Sequence, residues 1–251
     1  MAAFLSSSLI FLYFSFGTSL TLNYYQKTCP AVESLVRKAV TDATRRDKTA
    51  PAGLLRMHFH DCFIRSGGPS WDVPKGRKDG RISKASETIQ LPAPTFNISQ
   101  LQQSFSQRGL SLEDLAALSG GHTLGFSHCS SFNNRIHNFN STTDIDPSLH
   151  PSFAASLRRV CLAKNNAKKA GVAMDPSSST FDNTYYKLIL QQKVLLSSDN
   201  ALLNSPKTRS LVSRFASSND AFSKAFVKSM IKMSSITGGG QEIRKNCRVV
   251  N

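Results

Sequence analysis

Residues 54–71 read LLRMHFHDCFIRSGGPSW, and within this stretch the chain changes character. Arg56 and His60 stand among Leu54, Leu55, Phe59 and Phe63, after which Arg65 runs straight into a Gly-Gly-Pro turn. Pro51 occupies a position tolerated at the start of a helix, so a helix is predicted from Pro51 to about Phe63. On it Arg56 and His60 lie about 6 Å apart along the axis and about 40° apart around it, whereas His58 points about 200° away from His60. An imidazole that takes up a proton beside a fixed guanidinium that stabilises developing negative charge makes an acid-base and electrostatic pair. The bland alternative for His60 is a hydrogen-bonded structural histidine. A zinc site of His58, His60, Asp61 and Cys62 would need a strand, where positions i and i+2 share a face, and the helical setting argues against it.

Working outward, the 251 residues are enough for one large domain or two small ones, and 40 % hydrophobic residues supply a sizeable core. Thirty-one Lys and Arg against sixteen Asp and Glu give a formal charge of +15, which favours anionic surroundings such as acidic polysaccharide. The basic residues are scattered, with no aromatic-studded basic run, zinc-finger spacing or recognition-helix pattern, so nucleic acid is not an expected partner.

The first 26 residues carry no charged side chain, and an apolar stretch runs into small residues near Gly17 and Ser19. Residues 1–20 are read as a cleaved secretory signal, cut somewhere after Gly17. A signal anchor is the alternative, but the stretch is short and broken by serines, so no membrane association is expected after cleavage. Sequons at Asn97 and Asn140 fit a secreted glycoprotein. Five cysteines in such a chain imply disulfides, and the odd number leaves at least one outside any intrachain pair.

Val32, Leu35, Val36, Ala39, Val40 and Ala43 recur at helical spacing opposite Glu33, Arg37, Lys38 and Asp42. The region from Gly67 to Pro94 reads as loop. Ile98, Leu101 and Phe105 predict a helix closed by Gly109, and Ser111 with Asp114 a variant capping box for another that ends at Gly120-Gly121. Phe181, Tyr185, Leu188 and Ile189 share one helical face, as do Phe222, Ala225, Phe226 and Met230. With no run of alternating β-branched residues and no repeat, the expected fold class is all-α. His122, in LSGGHTLGFSHC, follows a helix and two glycines that permit close backbone approach to a flat ligand; a plain helix stop explains the glycines equally well.

Taken together, NYYQKTCP, LLRMHFHDCF, GGPSWDVPKGRKDGR, LPAPTFNISQL, LSGGHTLGFSHC, FDNTYYKLIL, LLSSDNALL and NCRVVN resemble the class III secretory plant haem peroxidases. The resemblance runs over residues 22–251, which it casts as one haem peroxidase domain. It implies a helical fold with haem b between a distal and a proximal helix. Arg56 and His60 match the distal pair: His60 would take a proton from hydrogen peroxide and return it to the leaving oxygen while Arg56 stabilises the separating charge. His122 matches the iron ligand, and Asp199 the carboxylate that accepts its other ring proton and enriches it in electrons. Pro92 matches a residue where phenolic substrates approach the haem edge. Thr123, Asp175, Ser178, Thr180 and Asp182 match a proximal calcium loop, with Thr180 contributing its carbonyl. Cys129 and Cys161 match a disulfide pair.

The chain also departs from the family pattern. Members run to about 300 residues, and about sixty are missing here between Arg65 and Ser66, as an in-frame omission that leaves the distal side incomplete. Asp61 matches a distal calcium ligand whose companions fall in the omission, so no distal calcium is expected. The partners of Cys29, Cys62 and Cys247 are lost with it, as is the asparagine that orients His60. Two readings follow: a secreted, monomeric peroxidase acting on hydrogen peroxide and small phenols in oxidative stress and wall metabolism, or an impaired remnant whose basic surface binds acidic cell-wall polysaccharide.

Overall fold

The computed structural model describes residues 20–47, 50, 68–82, 84–86, 91–162, 170–236, 242–246 and 249–251. The signal segment, the helix predicted from Pro51 to Phe63 and the Arg65–Ser66 junction lie outside them.

Helix α1 spans Val32–Arg46, with Glu33 in its first turn and Arg45 and Arg46 in its last, both favourable to the helix dipole. Its apolar stripe is only partly covered: Val40 and Thr44 are buried, but Leu35 is 58 % exposed. Helix α2, Ile98–Ser106, starts on a capping box in which Asn97 and Gln100 satisfy each other's backbone N–H groups. It closes at Gly109, whose φ of 71° is the left-handed conformation that favours glycine.

Helix α3, Leu112–Ser119, opens on the predicted Ser111/Asp114 capping box. The structure adds a tertiary tie, because Asp114 also accepts from Ser229 at 2.8 Å and from Lys232 at 2.6 Å on the helix Asn219–Ser234. Helix α3 ends at Ser119 with Gly120 as its C-cap, as predicted, and the chain then tightens to 3-10 geometry over Gly120–Thr123. A Cβ on Gly120 would lie 2.3 Å from the Tyr186 hydroxyl and 2.4 Å from Phe222 Cε2. Gly120 therefore makes room for core aromatics.

Next come β1 (Phe126–His128) and the short α4 (Asn133–Ile136). Helix α5 (Pro151–Val160) and β2 (Gly171–Ala173) follow. The two strands pair antiparallel with Ser127 opposite Val172, a three-residue ladder in an otherwise helical fold, so the all-α class holds. Helices α6 (Thr184–Leu190), α7 (Ser197–Ala201), α8 (Pro206–Ser217) and α9 (Asn219–Ser234) complete the sequence of elements. Helices α5 and α8 were not predicted, although each starts with a proline at a first-turn position.

One core joins α2, α3, α6, α8 and α9 around Leu115, Tyr186, Phe215, Phe222 and Phe226. Phe181 stacks on Phe222 with centroids 5.0 Å apart, although it precedes α6 instead of belonging to it. A second core gathers Phe132, Ile136, Leu149, Leu157 and Leu195 around the Cys129–Cys161 disulfide, whose Cα atoms are 5.7 Å apart. No helix among the described residues is long and apolar enough to cross a membrane.

Candidate functional site

The 3-10 turn that extends α3 presents His122, and α7 presents Asp199, 77 residues later. His122 Nδ1 lies 2.8 Å from Asp199 Oδ1. A carboxylate can only accept, so Nδ1 carries the proton, which leaves the lone pair of the neutral ring on Nε2. The pair is asymmetric in burial: the Asp199 side chain is 2 % exposed and that of His122 43 %. An imidazole is thus anchored from inside the protein while part of its ring stays open.

Two other contacts hold Asp199. The hydroxyl of Tyr185, on α6, donates to the same Oδ1 at 2.8 Å, and its ring meets His122 edge-on with centroids 6.1 Å apart. Burial, with the Asp199 charge next, pushes the Tyr185 phenol well above its ordinary pKa, so it remains a donor. The backbone behind α7 is fixed by Arg135, itself 1 % exposed, which donates to the carbonyls of Val194 and Leu195 at 2.8 and 2.9 Å and to Asp146 at 2.7 Å. Burial opposes ionisation of Asp146, but hydrogen bonds from Ser148 and Arg135 lower its pKa overall. Sequence reasoning missed both Tyr185 and Arg135 as parts of the site. Tyr185 read as one member of an apolar face, and nothing local marks Arg135.

Pro92 lies in the exposed loop before α2, and that loop is tied to α7 by a hydrogen bond from the Ser198 N–H to the Pro94 carbonyl at 3.0 Å. The loop that carries Pro92 therefore sits on the element that carries Asp199.

Next to His122, Thr123 turns inward and is fully buried. Its hydroxyl donates to Asp175 Oδ2 at 2.8 Å and lies 3.4 Å from Asp182 Oδ1. The Ser177 hydroxyl bridges the two carboxylates at 3.1 and 3.2 Å. Ser178 contributes a carbonyl, which accepts from the Gly125 N–H at 2.9 Å, and the Thr180 N–H donates to the Ser177 carbonyl at 2.6 Å. Burial raises the Asp175 pKa, with hydrogen bonds from Thr123 and Ser177 opposing and the neighbouring Asp182 charge adding to the rise. Two carboxylates and several hydroxyl and carbonyl oxygens in one loop fit a hard cation that takes oxygen ligands.

Arg56, His60, Asp61, Cys62 and Cys247 lie outside the described residues. Cys29 is a half-buried free thiol. On the side that is described, an imidazole oriented by a buried carboxylate is a donor set that fits a haem iron.

The sequence profile of the peroxidase family matches residues 64–218. Among similar proteins of Arabidopsis thaliana, Peroxidase 64 is 50 % identical over 295 residues, covering 92 % of this chain and 93 % of the relative. Peroxidase 66 is 41 % identical over 299 residues, covering 93 % and 92 %. Peroxidase 3 is 35 % identical over 300 residues, covering 92 % of each. The alignment with Peroxidase 64 has 295 positions, whereas 92 % of 251 residues is about 231, so about 64 positions have no residue of this chain opposite them. The chain belongs to the peroxidase family of oxidoreductases, as a class III plant peroxidase, and the cofactor of that family is haem.

Proposed function

We propose that this protein is a secreted haem peroxidase that reduces hydrogen peroxide with phenolic electron donors, outside the cell or in the wall, in oxidative stress and wall metabolism. The observation that carries the reading is the 2.8 Å contact between His122 and the buried Asp199. His122 would hold the iron, and Asp199, by accepting the Nδ1 proton, fixes the tautomer and makes the ring a stronger donor. When bound, haem supplies the redox chemistry, two-electron oxidation by peroxide and recovery in two one-electron steps from phenols. Arg56 and His60 are assigned the distal work: His60 accepts a peroxide proton and returns it to the departing oxygen, and Arg56 offsets the charge that separates. Pro92 is assigned to the approach of the donor.

Thr123, Asp175, Ser178, Thr180 and Asp182 are assigned to one calcium ion, with the Ser177 hydroxyl as an added oxygen. Asp61 is assigned no ion, because its companion ligands fall in the omitted segment. Secretion rests on the signal at residues 1–20, with the exposed sequons Asn97 and Asn140 as acceptors of glycan. The domain is assigned to residues 22–251, and the protein to a monomer.

A second reading has its own support. The alignment positions without a counterpart here, the exposed Leu35 and the free Cys29 fit an impaired isoform or remnant. With a charge of +15, it would act at most by binding acidic wall polysaccharide. Peroxide-dependent oxidation of a simple phenol by protein prepared with haem and calcium separates the two. Turnover that requires protein, haem and peroxide supports the enzyme, and no turnover above free haem supports the remnant.

A further inference from the structure

We infer that Tyr185 is a positioning residue that sets the strength of the Asp199–His122 hydrogen bond, and through it the electron richness of the imidazole. The inference rests on the reading of His122 as the iron ligand. Its basis is where the donors fall on Asp199. A carboxylate has about four lone-pair directions spread over two oxygens, yet His122 Nδ1 and the Tyr185 hydroxyl both lie 2.8 Å from Oδ1. Oδ2 is buried and has no hydrogen-bond partner among the described residues. Tyr185 and Asp199 are each 1 % exposed, so bulk water does not stand in for the phenol as a donor to Oδ1.

Hydrogen bonds to an ionised acceptor are strong, and two donors on one oxygen divide its negative charge. Tyr185 therefore does two things. It holds the carboxylate rotamer so that Oδ1 faces His122, and it withdraws part of the charge that would otherwise pull on the Nδ1 proton. Removing the phenol hydroxyl while keeping the ring leaves His122 as the donor to Oδ1. Its N–H is then more polarised and the ring more electron-rich, which favours the ferric over the ferrous state of a bound iron.

Tyr185→Phe tests this, with Tyr186→Phe as the control. Tyr186 is as deeply buried, but its hydroxyl donates to the Ala116 and Ala117 carbonyls at 2.8 and 3.2 Å, so its removal reports the loss of a buried hydrogen bond alone. In protein without haem, the His122 Nδ1–H proton resonance should move downfield in Tyr185→Phe and stay in place in Tyr186→Phe. In haem-loaded protein, the ferric/ferrous midpoint should fall and the ferrous iron–imidazole stretch should rise in the first variant only. If Tyr185→Phe does not fold, a fluorinated tyrosine incorporated at position 185 strengthens the donor and should move each readout the opposite way. Identical readouts for the two phenylalanine variants, or no reversal with the fluorinated ring, would overturn the inference. A chain that takes up no haem would instead overturn the haem reading, and the resonance arm would still decide the role of Tyr185.

Discussion

Thr123 and Asp175 meet at 2.8 Å, hydroxyl to carboxylate, across 52 positions of sequence and one residue from His122. The oxygen-rich loop and the imidazole therefore share a backbone segment, and what stabilises one steadies the other. Calcium bound there should raise stability by about 2 to 4 kcal/mol at concentrations well above its dissociation constant. Chelation should accordingly lower the thermal unfolding midpoint. In Asp175→Asn the chelator should have little effect, and without calcium this variant should be no less stable than the chelated parent, because the buried carboxylate and its neighbour Asp182 no longer repel. Calorimetry with and without chelator reads all three.

Acid should weaken the junction of α3 and α9. Burial works against the ionised Asp114, but hydrogen bonds from Lys232, the Ser111 N–H, Ser229 and the Ser111 hydroxyl outweigh it and lower the pKa from 3.8 to about 2. Because the folded-state value is the lower one, the stabilisation is complete above about pH 4 and is lost as pH falls through about 2. Asp114→Asn should cost about 2 kcal/mol at pH 7, a difference that shrinks between pH 4 and 2. Denaturant midpoints for parent and variant across that range check it; a constant difference would show that the ion pair is not the cause.

Helix propensity and packing make opposite forecasts for Gly120→Ala. Propensity alone favours Ala by about 1 kcal/mol. A Cβ, however, would enter the space of the Tyr186 hydroxyl and the Phe222 ring, and overpacking of this kind costs about 1 to 3 kcal/mol. The variant should therefore be destabilised, and a rise in its unfolding midpoint would count against the packing described for the main core.

The Cys129–Cys161 bridge spans 32 positions, for which loop-closure entropy gives about 3 to 4 kcal/mol. Replacing both cysteines by Ala should lower stability by about that amount and loosen the second core, through which Leu195 and Leu196 lead into α7. Hydrogen exchange at 194–199 should speed up by more than exchange in α9, which reports only the global loss of stability.

These cases show which parts of the molecule the sequence discloses. Capping at Ser111 and Asp114, the glycine stop at Gly109 and the apolar face of α9 follow from local spacing, and the structure bears them out, whereas the stripe of α1 is covered only in part and Phe181 precedes α6. Two helices that open on Pro151 and Pro206 were legible from the same proline rule and were missed. The pairing of His122 with Asp199 was legible only through resemblance, since 77 positions separate them and no periodicity connects the two. Tyr185 and Arg135 had no signal at all. A tyrosine that donates inward looks like any other member of an apolar face, and a buried arginine looks like a surface one until the chain has folded around it. Gly120 ends α3 as the sequence suggested, but glycine announces close approach without saying what approaches, and here it is Tyr186 and Phe222.

The omission that the sequence reading places between Arg65 and Ser66 has two candidate origins, exon skipping and a faulty gene model. Amplification across the junction should give a product that encodes Arg65 followed directly by Ser66. Recovery of only a longer product, with about sixty additional codons, would remove the natural-isoform reading.

Titration of the protein, with calcium present, against ferric haem tests the central claim most directly. A Soret band that saturates at one equivalent in the parent and fails to form in His122→Ala is the expected result. A flat titration in the parent, or the same band in His122→Ala, would contradict the account.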